Sequence, residues 1–203
     1  LRDPNMATIL PQDDGWDVPI TFRLIRDKRA NWHGVTQGSK FTLAYERAFP
    51  DLGSEVDYER MDAGLVLARK VFSEHNFVIK LGAGYGARLP FQREYSSGGN
   101  NLRGYINRQF RGNTKASSTL EYSVPLFKIQ PLAFRGMLFW DSAYTAFLRG
   151  DGDGRHYLPN LVPPQDFDLN QWRNGVGAGF RVYIKSVVLP LLGVDIGYGI
   201  EAQ

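Results

Sequence analysis

Apolar and small or polar residues alternate one for one through most of this chain. In FVIKLGAGYG, Phe77, Ile79, Leu81, Ala83 and Tyr85 share one face of an extended segment, and Lys80, Gly82, Gly84 and Gly86 share the other. In NGVGAGFRVYI, Val176, Ala178, Phe180, Val182 and Ile184 oppose Gly175, Gly177, Gly179, Arg181 and Tyr183. In LLGVDIGYGI, Leu192, Val194, Ile196, Tyr198 and Ile200 alternate with Gly193, Asp195, Gly197 and Gly199. The same period recurs in FTLAYERAF from Phe41, MDAGLVLARKVF from Met61, TLEYSVPLF from Thr119 and LAFRGMLFWDSAY from Leu132, and more faintly in PITFRLI around Ile20. A period of two is the signature of a strand with two unlike faces. The pattern predicts an all-β, antiparallel protein of about eight strands.

The two faces differ in kind. One carries Leu, Val, Ile, Phe and Tyr; the other carries Gly, Ser, Thr and charges. Glycine weakens a strand and packs nothing, so it is an unusual outer face for a soluble sandwich. A transmembrane barrel accounts for it, with lipid against the large residues and glycines leaving room in the bore. Each segment is about as long as the roughly 9–11 residues that a membrane-crossing strand requires. The connections agree: short passages at EHN after Ser73 and KIQP at Lys128, and long ones over 88–115 and 149–171. Short turns on one side and long loops on the other are the rhythm of outer-membrane barrels. A soluble antiparallel β-domain is the competing reading.

Composition narrows the class further. No run approaches the roughly 20 apolar residues of a spanning helix. The 203 residues include 22 Gly, 13% aromatics and no Cys, which suits a barrel of the Gram-negative envelope. A net charge of +3 is too small to argue for nucleic acid. Residues 1–18 lack the alternation and read as an N-terminal extension or linker, leaving 19–203 as the barrel domain. Leu1-Arg2-Asp3 reads as the start of a mature or trimmed chain. GDGDG at 150–154 has the composition of a calcium loop but lacks the spaced ligands and terminal Glu, so it reads as a flexible loop. His33, His75 and His156 are scattered at expected turns or loops. No metal, cofactor or catalytic group is expected. Inward Asp62, Glu121, Asp141 and Asp195 could mimic catalytic carboxylates, but no Ser-His-Asp order accompanies them.

One stretch breaks the alternation. Residues 98–113, GGNNLRGYINRQFRGN, could not sit in an apolar core as a strand or helix. Its Gly98-Gly99 pair and Leu102-Arg103-Gly104-Tyr105 tetrad resemble the signature loop of the BamA/TamA outer-membrane assembly factor superfamily, also called the bacterial surface antigen family. Two-partner secretion transporters share that loop. STLEYSVPLF resembles the family's strand after the loop, and RGMLFWDSAY the next one, with its aromatic-aromatic-Asp core. The resemblance implies that loop 88–115 folds into the lumen and that Arg103 meets acids of the inner wall, Glu121 and Asp141.

Parity leads to the same two acids. Leu120, Tyr122, Val124 and Leu126 form the apolar face of their segment, which leaves Glu121 inward. Phe134, Leu138 and Trp140 face lipid, which leaves Asp141 inward beside Arg135, Met137 and Phe139. Charged groups on the lipid face are costly, so both carboxylates belong in the bore. A guanidinium can bind both through its planar fork. Gly104 would let the backbone pass close to the wall, with Tyr105 packed beside it. The alternative is a solvated Arg103 and acids that merely line a wet lumen. Arg108 and Arg111 read as basic loop residues, meeting lipopolysaccharide phosphate or lumenal acids.

Family barrels have sixteen strands preceded by periplasmic POTRA domains, and a final strand ending in an aromatic residue. About eight strands are legible here, with no POTRA-like pattern and no such ending. The expectation is therefore either the C-terminal half of a sixteen-stranded barrel or a short member that closes on itself. Two chains could also pair edges as a homodimer. The function implied is insertion, assembly or translocation of outer-membrane proteins, by an edge strand templating a client β-barrel strand. The alternative is a structural or anchoring barrel without that activity. Partners expected are outer-membrane lipid, lipopolysaccharide and client barrel proteins.

Overall fold

A computed structural model describes residues 16–32, 34–148, 166–184 and 190–201. The GDGDG segment, His33 and His156 lie outside the described residues, as does most of the expected N-terminal extension. The chain is all-β. Eight long strands run antiparallel in one sheet: β1 (Pro19–Asp27), β3 (Val35–Ala48), β4 (Glu59–Val71), β5 (His75–Ala87), β8 (Thr114–Ile129), β9 (Leu132–Ala146), β10 (Arg173–Ile184) and β11 (Pro190–Gly199). A short β2 (Ala30–Trp32) pairs with β3. Every long strand coincides with an alternating segment of the sequence.

Each strand neighbours the one before it among these eight, so the sheet is a meander. Among the described residues β1 and β11 pair on one side only. The sheet is nonetheless strongly curved. Gly34, at the start of β3, abuts the rings and chains of Tyr183 on β10 and Arg135 on β9, several strands away across the sheet. β4 and β5 meet through a tight turn at 72–74, and β8 and β9 through Gln130-Pro131. The opposite end carries the long connections 49–58, 88–113 and 147–172.

Register sets which residues share the bore. Lys80 lies opposite Thr119, and Asp141 lies between Thr119 on β8 and Gly175 on β10. Gly179 lies opposite Asp195. The other face is an apolar skin: Phe22, Leu43, Met61, Leu81, Leu138, Trp140, Val194 and Ile196 are all exposed, Ile196 at 78%. In water such a surface would be a severe liability; in hydrocarbon it is the required one. The packed core lies on the opposite side, between the inner wall and the long loops. One cluster joins Ala48 and Tyr58 to Leu89 and Tyr95, and a second joins Leu102 and Tyr105 to Ala143.

The loop is more ordered than its sequence suggests. Tyr95–Ser97 (β6) and Phe110–Gly112 (β7) pair as a small hairpin at its base. Phe110, inside the stretch read as unable to form a strand, packs on the second cluster and edge-on against Tyr105. Residues 16–18 also do more than link: the Trp16 carbonyl accepts from Glu55 N–H, and Asp17 pairs with Arg93 at 2.6 Å.

The lumenal loop as candidate functional site

The tip of the loop is shaped by its own backbone. Gly98 and Gly99 both have positive φ, and Gly99 N–H donates to the Tyr105 carbonyl at 3.1 Å, closing a ring around the tetrad. Leu102 is fully buried against Tyr105, Phe110 and Ala143. This apolar anchor fixes where the next residue must point.

Arg103 points along the inner wall into a set of acids. Its Nε and Nη2 donate to both oxygens of Asp141 at 2.7 and 2.8 Å, and its backbone N–H donates to the same carboxylate at 3.1 Å. Nη2 also reaches Glu121 at 3.1 Å, and Nη1 reaches Asp195 at 3.3 Å. Its guanidinium carbon lies 3.5 Å from the centroid of the Phe139 ring. The Arg103 side chain is 12% exposed and that of Asp141 only 1%. Burial works against the charge of Arg103, but the bonds and charge of Asp141, helped by Glu121 and Asp195, outweigh it and hold its pKa above the ordinary value. The two acids assigned from the sequence are thus brought together at Arg103, and Asp195 joins them as a third.

The outer members of the network balance its charge. Lys80 on β5 pairs with Glu121 at 2.8 Å, and Arg181 on β10 grips Asp195 with two bonds at 2.5 and 2.7 Å. Three cations and three carboxylates alternate from β5 to β11 with the loop arginine at their centre. Of the inward carboxylates, Asp62 also has a basic partner, Arg60 at 2.9 Å. Asp195 was legible as inward but not as a partner of Arg103, and Lys80, Arg181 and Phe139 had no assigned role. Their inward parity was the available signal, because every charge in a crowded bore needs a counter-charge.

Glycines form the seat. Gly104 has φ +99°, and a Cβ there would lie 2.5 Å from the backbone of Tyr198 and Gly199. A Cβ at Gly175 would strike the Arg103 carbonyl, and one at Gly197 would lie 2.8 Å from Gly104 N. The inward glycines of β10 and β11 therefore let the loop backbone lie against the wall.

Tyr105 completes the seat with a latch that the sequence did not disclose. Its hydroxyl donates to Glu201 at 2.8 Å and contacts the Asn174 carbonyl at 3.1 Å. Glu201 in turn accepts from Asn174 N–H at 2.6 Å and its Nδ2 at 2.7 Å. Burial, then the bond to Glu201, push the Tyr105 phenol up to about 12. Burial alone would raise the Glu201 carboxyl, but its bonds to Asn174 and Tyr105 hold it below the usual range. Arg111 turns inward within the loop, pairing with Glu94 at 2.8 Å and lying 3.4 Å over the Phe91 ring. Its acid belongs to the loop itself. Arg108 is exposed at the tip.

Comparison with known proteins bears on the family and the fold. The sequence model of the Omp85 superfamily domain matches residues 5–198. Among solved structures, the fold is similar to the crystal structure of BamA from Haemophilus ducreyi lacking POTRA domains 1–3, with a TM-score of 0.70 at 20% identity. That match covers 98% of this chain and 43% of the other, so the chain spans less than half the length of that protein. No curated protein sequence matches it. An apolar-skinned antiparallel sheet with a loop seated against its inner face, matched over nearly its whole length by one domain family, fixes the assignment: the chain belongs to the Omp85 superfamily, which holds the BamA/TamA group, and is a bacterial outer-membrane protein.

Proposed function

We propose that this barrel acts in the insertion, assembly or translocation of outer-membrane β-barrel proteins, by offering a strand edge as a template. The reading is supported by membership of the Omp85 superfamily and by the lumenal loop, which is seated on the inner wall through Arg103 and its acids Asp141, Glu121 and Asp195. An unpaired row of N–H and C=O groups cannot persist in hydrocarbon, where each group is unsatisfied. Each edge, β1 and β11, must therefore pair with a further strand, of the same barrel or, at a seam that opens, of an antiparallel client. The lumenal loop supports this role: through Arg103, Gly104 and Tyr105 it ties β8, β9, β10 and β11 into one stiff wall. A stiff wall holds the β11 edge in a defined register for the incoming strand.

The test is photo-crosslinking from Ile20 on β1 and Tyr198 on β11, both exposed on the lipid-facing side, during synthesis of outer-membrane barrels. Templating predicts adducts between these positions and the strands of a folding client. A correctly folded barrel that yields no client adduct from either position overturns the reading and assigns the chain an anchoring role.

A further inference from the structure

Among the described residues, the ion-pair network leaves the buried Arg135 outside it. Arg135 on β9 faces the bore and is 3% exposed. Its Nη2 donates to the Glu74 carbonyl at 2.7 Å and to Ser123 Oγ at 3.0 Å. No carboxylate pairs with it among the described residues, and its Nε is buried without a hydrogen-bond partner. The nearest carboxylate, Glu74, is already bonded to Lys128, so the buried guanidinium is only partly compensated, and the remedy available in a polar cavity is an anion.

Arg135 lines two adjoining spaces at the short-turn end of the bore. The outer one, about 380 Å³, carries Lys70, Lys128 and Glu74, whose carboxylate is bonded to Lys128. The inner one, about 200 Å³, carries Lys80, Arg181, Ser123 and Tyr183, with Glu121 the sole carboxylate lining it among the described residues. Glu121 is already held by Arg103 and Lys80, and Arg181 by Asp195. The local excess of positive charge therefore belongs to Arg135. A series of cations leads from the rim inward to a neck with guanidinium and hydroxyl donors.

We propose that this neck is a binding site for a tetrahedral oxyanion of phosphate type, with Arg135 as its principal donor and Tyr183 and Ser123 as hydroxyl partners. The free Nη1 of Arg135 beside the Ser123 and Tyr183 hydroxyls suits an oxyanion better than a spherical halide, because a tetrahedral anion can accept from several converging donors at once. The anion has two sources, free phosphate or a phosphate headgroup entering from the short-turn rim.

Isothermal titration of the protein in zwitterionic detergent tests this, using sodium phosphate against sodium chloride at equal ionic strength, and a short-chain phosphatidic acid below its micelle concentration. Saturable binding of inorganic phosphate assigns a free anion. Binding of the phosphatidic acid alone assigns a headgroup. Binding of neither beyond the chloride control overturns the site. Arg135→Gln should weaken binding at least tenfold, and unchanged affinity in that variant overturns the assignment. Should Arg135→Gln fail to fold, Arg135→Lys, which keeps the charge and loses the fork, and Tyr183→Phe should each weaken binding several-fold. Wild-type affinity in both would refute the role of Arg135.

Discussion

At the scale of single residues, Arg103 carries the largest consequence. Its guanidinium is largely buried and meets three carboxylates at 2.7–3.3 Å. Removing one partner of such a buried set leaves the others unpaired, at about 3–5 kcal/mol. Arg103→Ala should lower the temperature at which the folded barrel converts to the unfolded form on heat-modifiability gels. Arg103→Lys should recover only part of the loss, because a point ammonium cannot span three acids as a planar fork does. Unchanged transitions in both variants would show that the loop does not lock the bore. Gly104 is a separate case: φ +99° and contact with the β11 backbone both exclude a side chain. Gly104→Ala should cost at least the roughly 1–3 kcal/mol of a strained backbone position, read on the same gels.

Glu201 gives a pH signature at the same scale. Its carboxyl is held below the usual range in the folded state by its partners. A depressed carboxylate contributes stability that is present above its ordinary pKa and lost as pH falls through the folded value. Acidification should therefore loosen the Tyr105 latch. The acid side of a stability-against-pH curve should flatten in Glu201→Gln, and a curve of unchanged slope would contradict this.

At the scale of elements, the inward glycines of β10 and β11 explain why two poorly packing strands are tolerated. They trade strand propensity for backbone contact with the loop. Gly175→Val should push against the Arg103 carbonyl and displace the tetrad, whereas a Val at outward Ala178 should be nearly neutral because it faces lipid. Protease sensitivity of the loop around Arg108 should rise in the first variant and not in the second. The alternation that predicts these strands was legible in the sequence, faintly for β1, since lipid-facing residues in mid-strand must be apolar and mid-strand charges must turn inward. The β6–β7 hairpin was not legible, because three-residue strands with glycine and serine carry no period. Phe110 reads as a loop aromatic until Leu102, Tyr105 and Ala143 are known to surround it.

At the scale of the whole molecule, an apolar skin and a charged bore are two sides of one sheet. The protein should be monodisperse in detergent and should aggregate when detergent is removed, as its exposed Phe22, Leu138, Trp140 and Ile196 demand. A stable, monodisperse protein in plain buffer, seen by light scattering, would contradict the assignment of faces. The curvature that brings Gly34 to Tyr183 depends on contacts between strands far apart in order, and no local pattern encodes it.

The amino-acid sequence by itself determined the strands, their two faces, the long loop between the fourth and fifth long strands, and the inward parity of Glu121, Asp141 and Asp195. These follow from a period of two and from the cost of charge in lipid, both local properties. Only the tertiary structure decided that Asp195 joins Arg103, that Phe139 lies under its guanidinium, that Glu201 latches Tyr105, and that Arg135 stays outside the network. Those facts depend on register and curvature, which place residues tens of positions apart within a few ångströms, and a strand's own alternation contains neither.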